Sequence, residues 1–235
     1  AAELALLEAE CDRIRRVTPL VPDGSVDIVV SNCVLNLVRP EAKRQLIREI
    51  YRVLAVGGRI AISDIVSDEP VPEALRADPE LWSGCISGAF QEQEIPSELE
   101  AAGFYGISID QWSDEPFRVV DGIEFRSVTV TATKGKEGPC DDANQAVMLR
   151  GPWKQVEDDD GHVLRRGERT AVCAKTFGIL TSPPYEDFVI AIPPRVPVPE
   201  EERRPFDCAR TAPRDPRETK GAGYRANRES SEGCC

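Results

Sequence analysis

Histidine is nearly missing from this chain: His162 is the only one in 235 residues. Ser-His-Asp and Cys-His mechanisms are thereby excluded unless His162 is itself the base. Eight cysteines are present, yet none forms a Cys-x-x-Cys pair, which with a single histidine argues against a zinc finger. No apolar run approaches the roughly 20 residues of a membrane-spanning helix. No charged-then-apolar leader opens the chain either, so neither a membrane partner nor export is expected. Positive charge is in deficit, with 29 Lys and Arg against 41 Asp and Glu and a formal charge of -12. A nucleic-acid partner needs a basic face that this balance denies. Short basic clusters such as Arg13-Ile14-Arg15-Arg16 have acidic neighbours and read as solvated surface.

What is present, 41% hydrophobic and 30% charged residues, is the composition of a globular protein. The length suits one large domain, or one domain with a smaller appendage. Without a leader the cytoplasm is the expected location, and there the thiols stay reduced. Residues 2–16, rich in Ala, Leu and Glu, predict a helix, and Pro22-Asp23-Gly24 a turn. Val26 to Ser31 is almost continuously apolar, as expected of a strand covered on both faces. Pro40 suits the first turn of a helix carrying Leu46, Ile47, Ile50, Val53 and Leu54 at helical spacing, with Gly57-Gly58 as its stop. Arg59 to Ser63 then reads as the next strand, which makes a βαβ unit and implies a parallel sheet. A second helical zone is expected over 79–90. Another helix is expected from Ser97, where Ser97-x-x-Glu100 has the form of a capping box, and strands over 106–112 and 125–133. The alternation in the last of these suits an edge or antiparallel strand. After a linker at 135–139 come short strand-like runs at 146–149, 162–164, 170–174 and 189–192, separated by turn signals. From Pro197 onward the chain is rich in Pro, Arg and Glu and reads as irregular.

Two cysteines have distinctive settings. Cys33 ends the first predicted strand, and Cys85 lies in the Gly-flanked run Leu81-Trp82-Ser83-Gly84-Cys85-Ile86-Ser87-Gly88, expected to be helical. Ligands of open α/β sheets bind beyond the carboxyl ends of the strands, and two thiols aimed at one crevice would suit a soft ligand. The plainer reading of each is a small buried hydrophobe, since free cysteine is among the most buried residue types. That reading is preferred for Cys140, Cys173 and Cys208. Asn32 and Asp64 follow or end strands and read either as pocket residues or as backbone-capping and turn-forming groups. Trp82 is expected in the core and His162, after Asp160-Gly161, on the surface. The acidic run Glu157-Asp158-Asp159-Asp160 lacks calcium-loop spacing and reads as a hairpin turn.

Val26-Asp27-Ile28-Val29-Val30-Ser31-Asn32, a helix, and Val53-Leu54-Ala55-Val56-Gly57-Gly58-Arg59-Ile60-Ala61-Ile62-Ser63-Asp64 together resemble the centre of class I S-adenosylmethionine-dependent methyltransferases. Ser31-Asn32-Cys33-Val34-Leu35-Asn36-Leu37, with Asp78-Pro79-Glu80-Leu81-Trp82-Ser83-Gly84-Cys85-Ile86-Ser87-Gly88-Ala89, is similar more narrowly to arsenite methyltransferases. In that family the equivalent cysteines bind trivalent arsenic. The resemblance runs from about Pro19 to Thr133, and the segment from Cys140 to Cys235 resembles the C-terminal extension of some bacterial members.

It implies an α/β fold: the later half of a Rossmann-like methyltransferase sheet, parallel strands plus an antiparallel edge, with a small β-rich C-terminal extension. The implied organisation is a partial methyltransferase domain at 1–134, the extension at 135–198, and an irregular tail at 199–235 ending in a cysteine pair. The implied chemistry is methyl transfer from S-adenosylmethionine to arsenite bound by Cys33 and Cys85 and presented as a thiol conjugate, for arsenic detoxification. Ser31 and Asn32 are expected at the cofactor, and Cys234-Cys235 as a further arsenic ligand pair. Thioredoxin or glutathione is the expected reductant. The family's cofactor-binding Gly-rich loop, its ribose-gripping acid and its earlier cysteines have no counterpart here, so the chain alone is expected to hold the cofactor poorly and to be inactive. Two other readings fit the same residues: methyl transfer to another small molecule, or a non-enzymatic thiol protein that sequesters arsenic.

Overall fold

The computed structural model describes residues 2–222 and Tyr224. The chain divides into two compact units, Ala1–Gly135 and Lys136–Cys235. The first runs α1 (Ala2–Val17), β1 (Val26–Asn32), α2 (Pro40–Val53), β2 (Leu54–Ser67), α3 (Glu73–Arg76), α4 (Pro79–Ser83), β3 (Phe90–Gln91), α5 (Glu94–Ala101), β4 (Tyr105–Trp112), β5 (Arg118–Val120) and β6 (Ile123–Thr133).

These strands form one mixed sheet in the order β1-β2-β6-β4, with β3 beside β2 and β5 beside β6. β1 and β3 run parallel to β2, whereas β6 is antiparallel to β2, β4 and β5. This is the expected α/β sheet of parallel and antiparallel strands. One face of the sheet carries the core. Ile60, Ile62 and Val66 of β2 and Val128, Val130 and Ala132 of β6 alternate inward, as period-two side chains must, against Ile47 and Ile50 of α2 and Ile95 and Leu99 of α5. Phe104 completes this layer, edge-on to Tyr51 at 5.0 Å between ring centroids. A second cluster, including Ile65, Leu81, Ile86 and Phe125, packs under the 71–89 segment.

Several expectations are corrected here. β1 is an edge strand and is not covered on both faces: Ile28 is 55% and Val30 73% exposed. α2 stops at Val53, because Leu54 already has extended backbone. Gly57-Gly58 therefore lies inside β2, where a five-residue step from Leu54 to Arg59 faces the two-residue step from Val26 to Ile28. Gly57 takes φ +83°, and a Cβ on Gly58 would come within 3.1 Å of the Asp27 carbonyl oxygen, so the irregularity needs both glycines. The expected helix over 79–90 is only the five residues of α4, capped by the Asp78 side chain on the N–H groups of Glu80 and Leu81. α5 begins at Glu94, before the supposed capping box. The Ser97 hydroxyl donates back to the Gln93 carbonyl, while Glu94 accepts from the Gln91 N–H.

The second unit comprises β7 (Asp141–Asp142), β8 (Ala146–Leu149), β9 (Gln155–Glu157), β10 (Val163–Arg165), β11 (Thr170–Ala171), α6 (Ala174–Leu180), β12 (Val189–Ile192), β13 (Arg204–Pro205) and α7 (Pro216–Lys220). It is β-rich but not all β, since the run expected as a strand to 174 turns at Cys173 into α6. β8 lies between β11 and β12, and Val147, Leu149, Leu164, Val172, Leu180 and Val189 form its core. Residues 199–220, expected to be irregular, contain a 3-10 turn, β13 and α7. The anchor is Arg214, whose buried guanidinium reaches both Asp142 carboxylate oxygens (2.7 and 3.1 Å) and Glu218 (2.8 Å).

His162 is also corrected. It is only 2% exposed, with Nδ1 2.9 Å from the Asp158 carboxylate. The Asp-Gly turn folds Asp158 inward, where it also accepts from the Asp160 and His162 N–H groups and closes the β9–β10 hairpin.

Candidate functional site

Cys33 follows the last residue of β1, and its N–H donates to the Ser63 carbonyl of β2. Its φ is +53°. Cys85, just after the Gly84 cap of α4, has φ +62°, so it lies in a turn and not in the expected helix. Left-handed backbone is uncommon for residues with a Cβ and persists only where the surroundings enforce it. Both cysteines of the motif have it, and the Cys85 thiol points at the Cys33 carbonyl oxygen, Sγ to O 3.7 Å.

The surroundings that enforce this are specific. Leu35–Leu37 forms a 3-10 turn whose first N–H donates to the Asp64 carboxylate at 2.9 Å. The Asn36 amide, fully buried, donates to the Ile65 carbonyl at 2.6 Å and to the Cys85 carbonyl at 3.1 Å. One side chain thereby ties the cysteine loop to β2. Its Oδ1 is buried and makes no hydrogen bond within the described residues. Gly88 supplies the other constraint: a Cβ there would lie 1.9 Å from the Asn36 carbonyl oxygen, so the two loops meet at a distance only glycine permits.

Asp64 sits within β2, 1% exposed, and is not turn-forming. Burial pushes its carboxyl above the ordinary range, against the Ile65, Leu35 and Asn36 backbone N–H groups that pull it down. Burial also pushes the Cys85 thiol up, and the nearby Asp64 and Cys33 charges add to this. Lys43 donates to the Gly88 carbonyl and stands 4.0 Å from the Phe90 ring centroid. Burial lowers its ammonium to about 8, opposed by the Asp64 and Glu94 carboxylates. A cavity of about 300 Å³ opens beside Lys43, Ser87, Gly88 and Glu94. A larger, apolar cavity of about 580 Å³, lined by Cys11, Ile14, Leu20, Val29, Ile50 and Val53, contains neither Cys33 nor Cys85.

Of the residues expected at the site, the structure brings Cys33 and Cys85 together. Ser31 is half-buried and Asn32 exposed at the end of β1, and the Asn32 side chain makes no hydrogen bond within the described residues. Cys234 and Cys235 lie outside the described residues. Trp82, expected in the core, is half-buried. Asn36 was not singled out from the sequence, because its role depends on carbonyl groups far along the chain. Nor was the meeting of Cys140, Cys173 and Cys208, whose sulfur atoms all lie within 4.8 Å of one another.

Residues 5–103 match the family model of a methyltransferase domain, and residues 136–224 match that of a domain of unknown function, DUF8838. The arsenite methyltransferase of Halobacterium salinarum is 44% identical over 38% of this chain and 22% of its own length. That of Homo sapiens is 32% identical over 72% of this chain and 48% of its own length. The chain thus spans less than half the length of either relative. A crystal structure of an arsenic (III) S-adenosylmethionine methyltransferase from Chlamydomonas reinhardtii matches 87% of this chain and 66% of its own, with 23% identity and a TM-score of 0.49. Residues 5–103 are thus similar to the methyltransferase-domain family, and the chain's relatives in sequence include arsenite methyltransferases.

Proposed function

We propose that this chain contributes the arsenic-binding half of an S-adenosylmethionine-dependent arsenite methyltransferase, with Cys33 and Cys85 as the thiol ligands of the substrate. The observation that carries the reading is the meeting of two cysteines, 52 residues apart, both in left-handed backbone, with Cys85 Sγ 3.7 Å from the Cys33 carbonyl. Trivalent arsenic is soft and prefers thiolate sulfur. Arsenite condenses with thiols by losing water, so a protonated Cys85 is a competent ligand: its proton leaves with an arsenic hydroxide. Held by sulfur, the arsenic keeps a lone pair and has no proton to lose. Transfer therefore needs positioning and no general base, which suits a site with no histidine.

S-adenosylmethionine, when bound, supplies an electrophilic methyl group. The exposed Asn32 amide and the Ser31 hydroxyl, at the carboxyl end of β1 beside Cys33, fit its polar methionine end, since neither is committed to another partner among the described residues. Asp64 and Asn36 act behind them as positioning residues, holding the Cys33 and Cys85 loops in register. A thiol reductant, thioredoxin or glutathione, would regenerate free thiols between turnovers, and a reducing cytoplasm suits eight cysteines. No helix among the described residues is long and apolar enough to cross a membrane.

Replacing Cys33 or Cys85 by serine in the native gene product is expected to abolish arsenite methylation while leaving S-adenosylmethionine binding, measured by calorimetry, unchanged. Normal turnover in either variant would refute the assignment.

A further inference from the structure

Three thiols in the second unit converge without any role in the reading above. Cys140 precedes β7, Cys173 precedes α6 and Cys208 follows β13; each pair of sulfur atoms lies within 4.8 Å. The Cys140 and Cys208 segments are held independently of their sulfurs. β13 pairs with β7, and the Phe206 N–H donates to the Cys140 carbonyl at 2.8 Å, which sets Cys208 beside Cys140. Cys173 is completely buried, while Cys140 and Cys208 are half-buried, so the cluster has a closed back and an open front. The Thr176 N–H donates to Cys173 Sγ at 3.3 Å and the Thr176 hydroxyl lies 3.2 Å from the same sulfur. Burial pushes the Cys173 thiol up, but the hydrogen bonds from Thr176, Cys208 and Cys140 outweigh it and leave it below its ordinary value. Burial and the other two sulfurs push the Cys208 thiol up.

The donor set chooses the ligand. Three sulfurs with no fourth ligand in the group are one short of the tetrahedral set of a structural zinc site. The buried His162 ring is instead grouped with Asp158 and Asp160: its Nδ1 is held by Asp158 at 2.9 Å, while its buried Nε2 makes no hydrogen bond among the described residues. A soft centre that takes three sulfurs and keeps a lone pair matches the count.

We propose that Cys140, Cys173 and Cys208 form a second arsenic site, which captures arsenite as a tris-thiolate in the unit outside the methyltransferase-domain match. The choice of arsenic among soft three-coordinate ions rests on the reading of the first unit; the site itself does not. Capture is a condensation. Three S–H protons combine with the three hydroxides of arsenous acid, three As–S bonds replace three As–O bonds, three waters leave, and nothing is oxidised or reduced.

The test uses the full chain with Cys11, Cys33, Cys85, Cys234 and Cys235 replaced by serine, so that only the three clustered thiols remain. After incubation with sodium arsenite and gel filtration, one arsenic per chain is expected by native mass spectrometry, with three sulfur neighbours in the arsenic absorption edge. Adding Cys140→Ser or Cys208→Ser should reduce this to none, with unchanged circular dichroism; these two are preferred to Cys173→Ser, because Cys173 also caps α6. Retention of no arsenic by the three-thiol variant overturns the proposal, as does retention unaffected by Cys140→Ser. So does a zinc ion that survives dialysis and blocks arsenite. Because the variant lacks Cys33 and Cys85 and the readout is binding, failure here leaves the methyl-transfer reading untouched, and failure of that reading leaves the three-thiol site but not the choice of arsenic.

Discussion

At the scale of single residues, the proposed arsenic site depends on side chains that never touch the substrate. Asn36 donates to two carbonyls, one on β2 and one on Cys85 itself. Removing it takes away both hydrogen bonds, each worth about 0.5–1.5 kcal/mol. Asn36→Ala is accordingly expected to lower stability by roughly that amount in urea titration and to weaken arsenite binding more than S-adenosylmethionine binding. Gly88→Ala is expected to cost about 1–3 kcal/mol, since the new methyl must push back a peptide carbonyl. A variant as stable as the parent would mean that the two loops approach less closely than described. Cys33 and Cys85 stood out in the sequence because each sits in a distinctive local motif. Asn36 did not, because its partners lie 29 and 49 residues away and nothing local marks them. The plain reading of Cys140, Cys173 and Cys208 failed to bring them together for the same reason, since hydrophobic periodicity carries no information about which loops meet.

At the scale of elements, the β9–β10 hairpin gives a pH-dependent test. The Asp158 hydrogen bond raises the His162 imidazolium above its usual value. Burial pushes the Asp158 carboxyl up, but hydrogen bonds from His162 outweigh it and leave it low. A raised histidine contributes stability that is complete below its unfolded value and lost as pH rises through the folded one. A depressed carboxylate contributes above its unfolded value and loses this as pH falls. The pair is therefore worth most between about pH 4 and pH 6.5. His162→Gln is expected to lower the melting temperature most in that window, with the gap narrowing toward pH 8; a gap independent of pH would count against an ion pair. Strand existence was readable from pattern: the runs expected at 146–149 and 189–192 coincide with β8 and β12. Ends were harder. α2 gives way to β2 before the glycines that seemed to stop it, because Leu54 pairs with Val26 at once. α6 interrupts a run read as strand, because Cys173 caps a helix as a serine would.

At the scale of the whole molecule, each unit has its own apolar core, so damage should stay local. Phe104→Ala is expected to cost about 3–5 kcal/mol and Leu164→Ala about 2–5 kcal/mol. Hydrogen exchange should quicken over β2 and β6 in the first variant, and over β8 and β10 in the second. Spread of either effect to the other unit would show that they unfold as one. Fold class was open to inference because strand and helix periods alternate in the first unit, and short strands with turn signals dominate the second. What escaped was which faces are covered, for an apolar run looks the same whether or not a neighbour shields it. Among the described residues, β1 ends the sheet with Ile28 and Val30 turned to solvent and one row of peptide groups facing no other strand. Such a rim is a template for self-association. Concentrated solutions should therefore form β-rich oligomers that grow in light scattering with protein concentration, and Val30→Lys should suppress them without unfolding the chain.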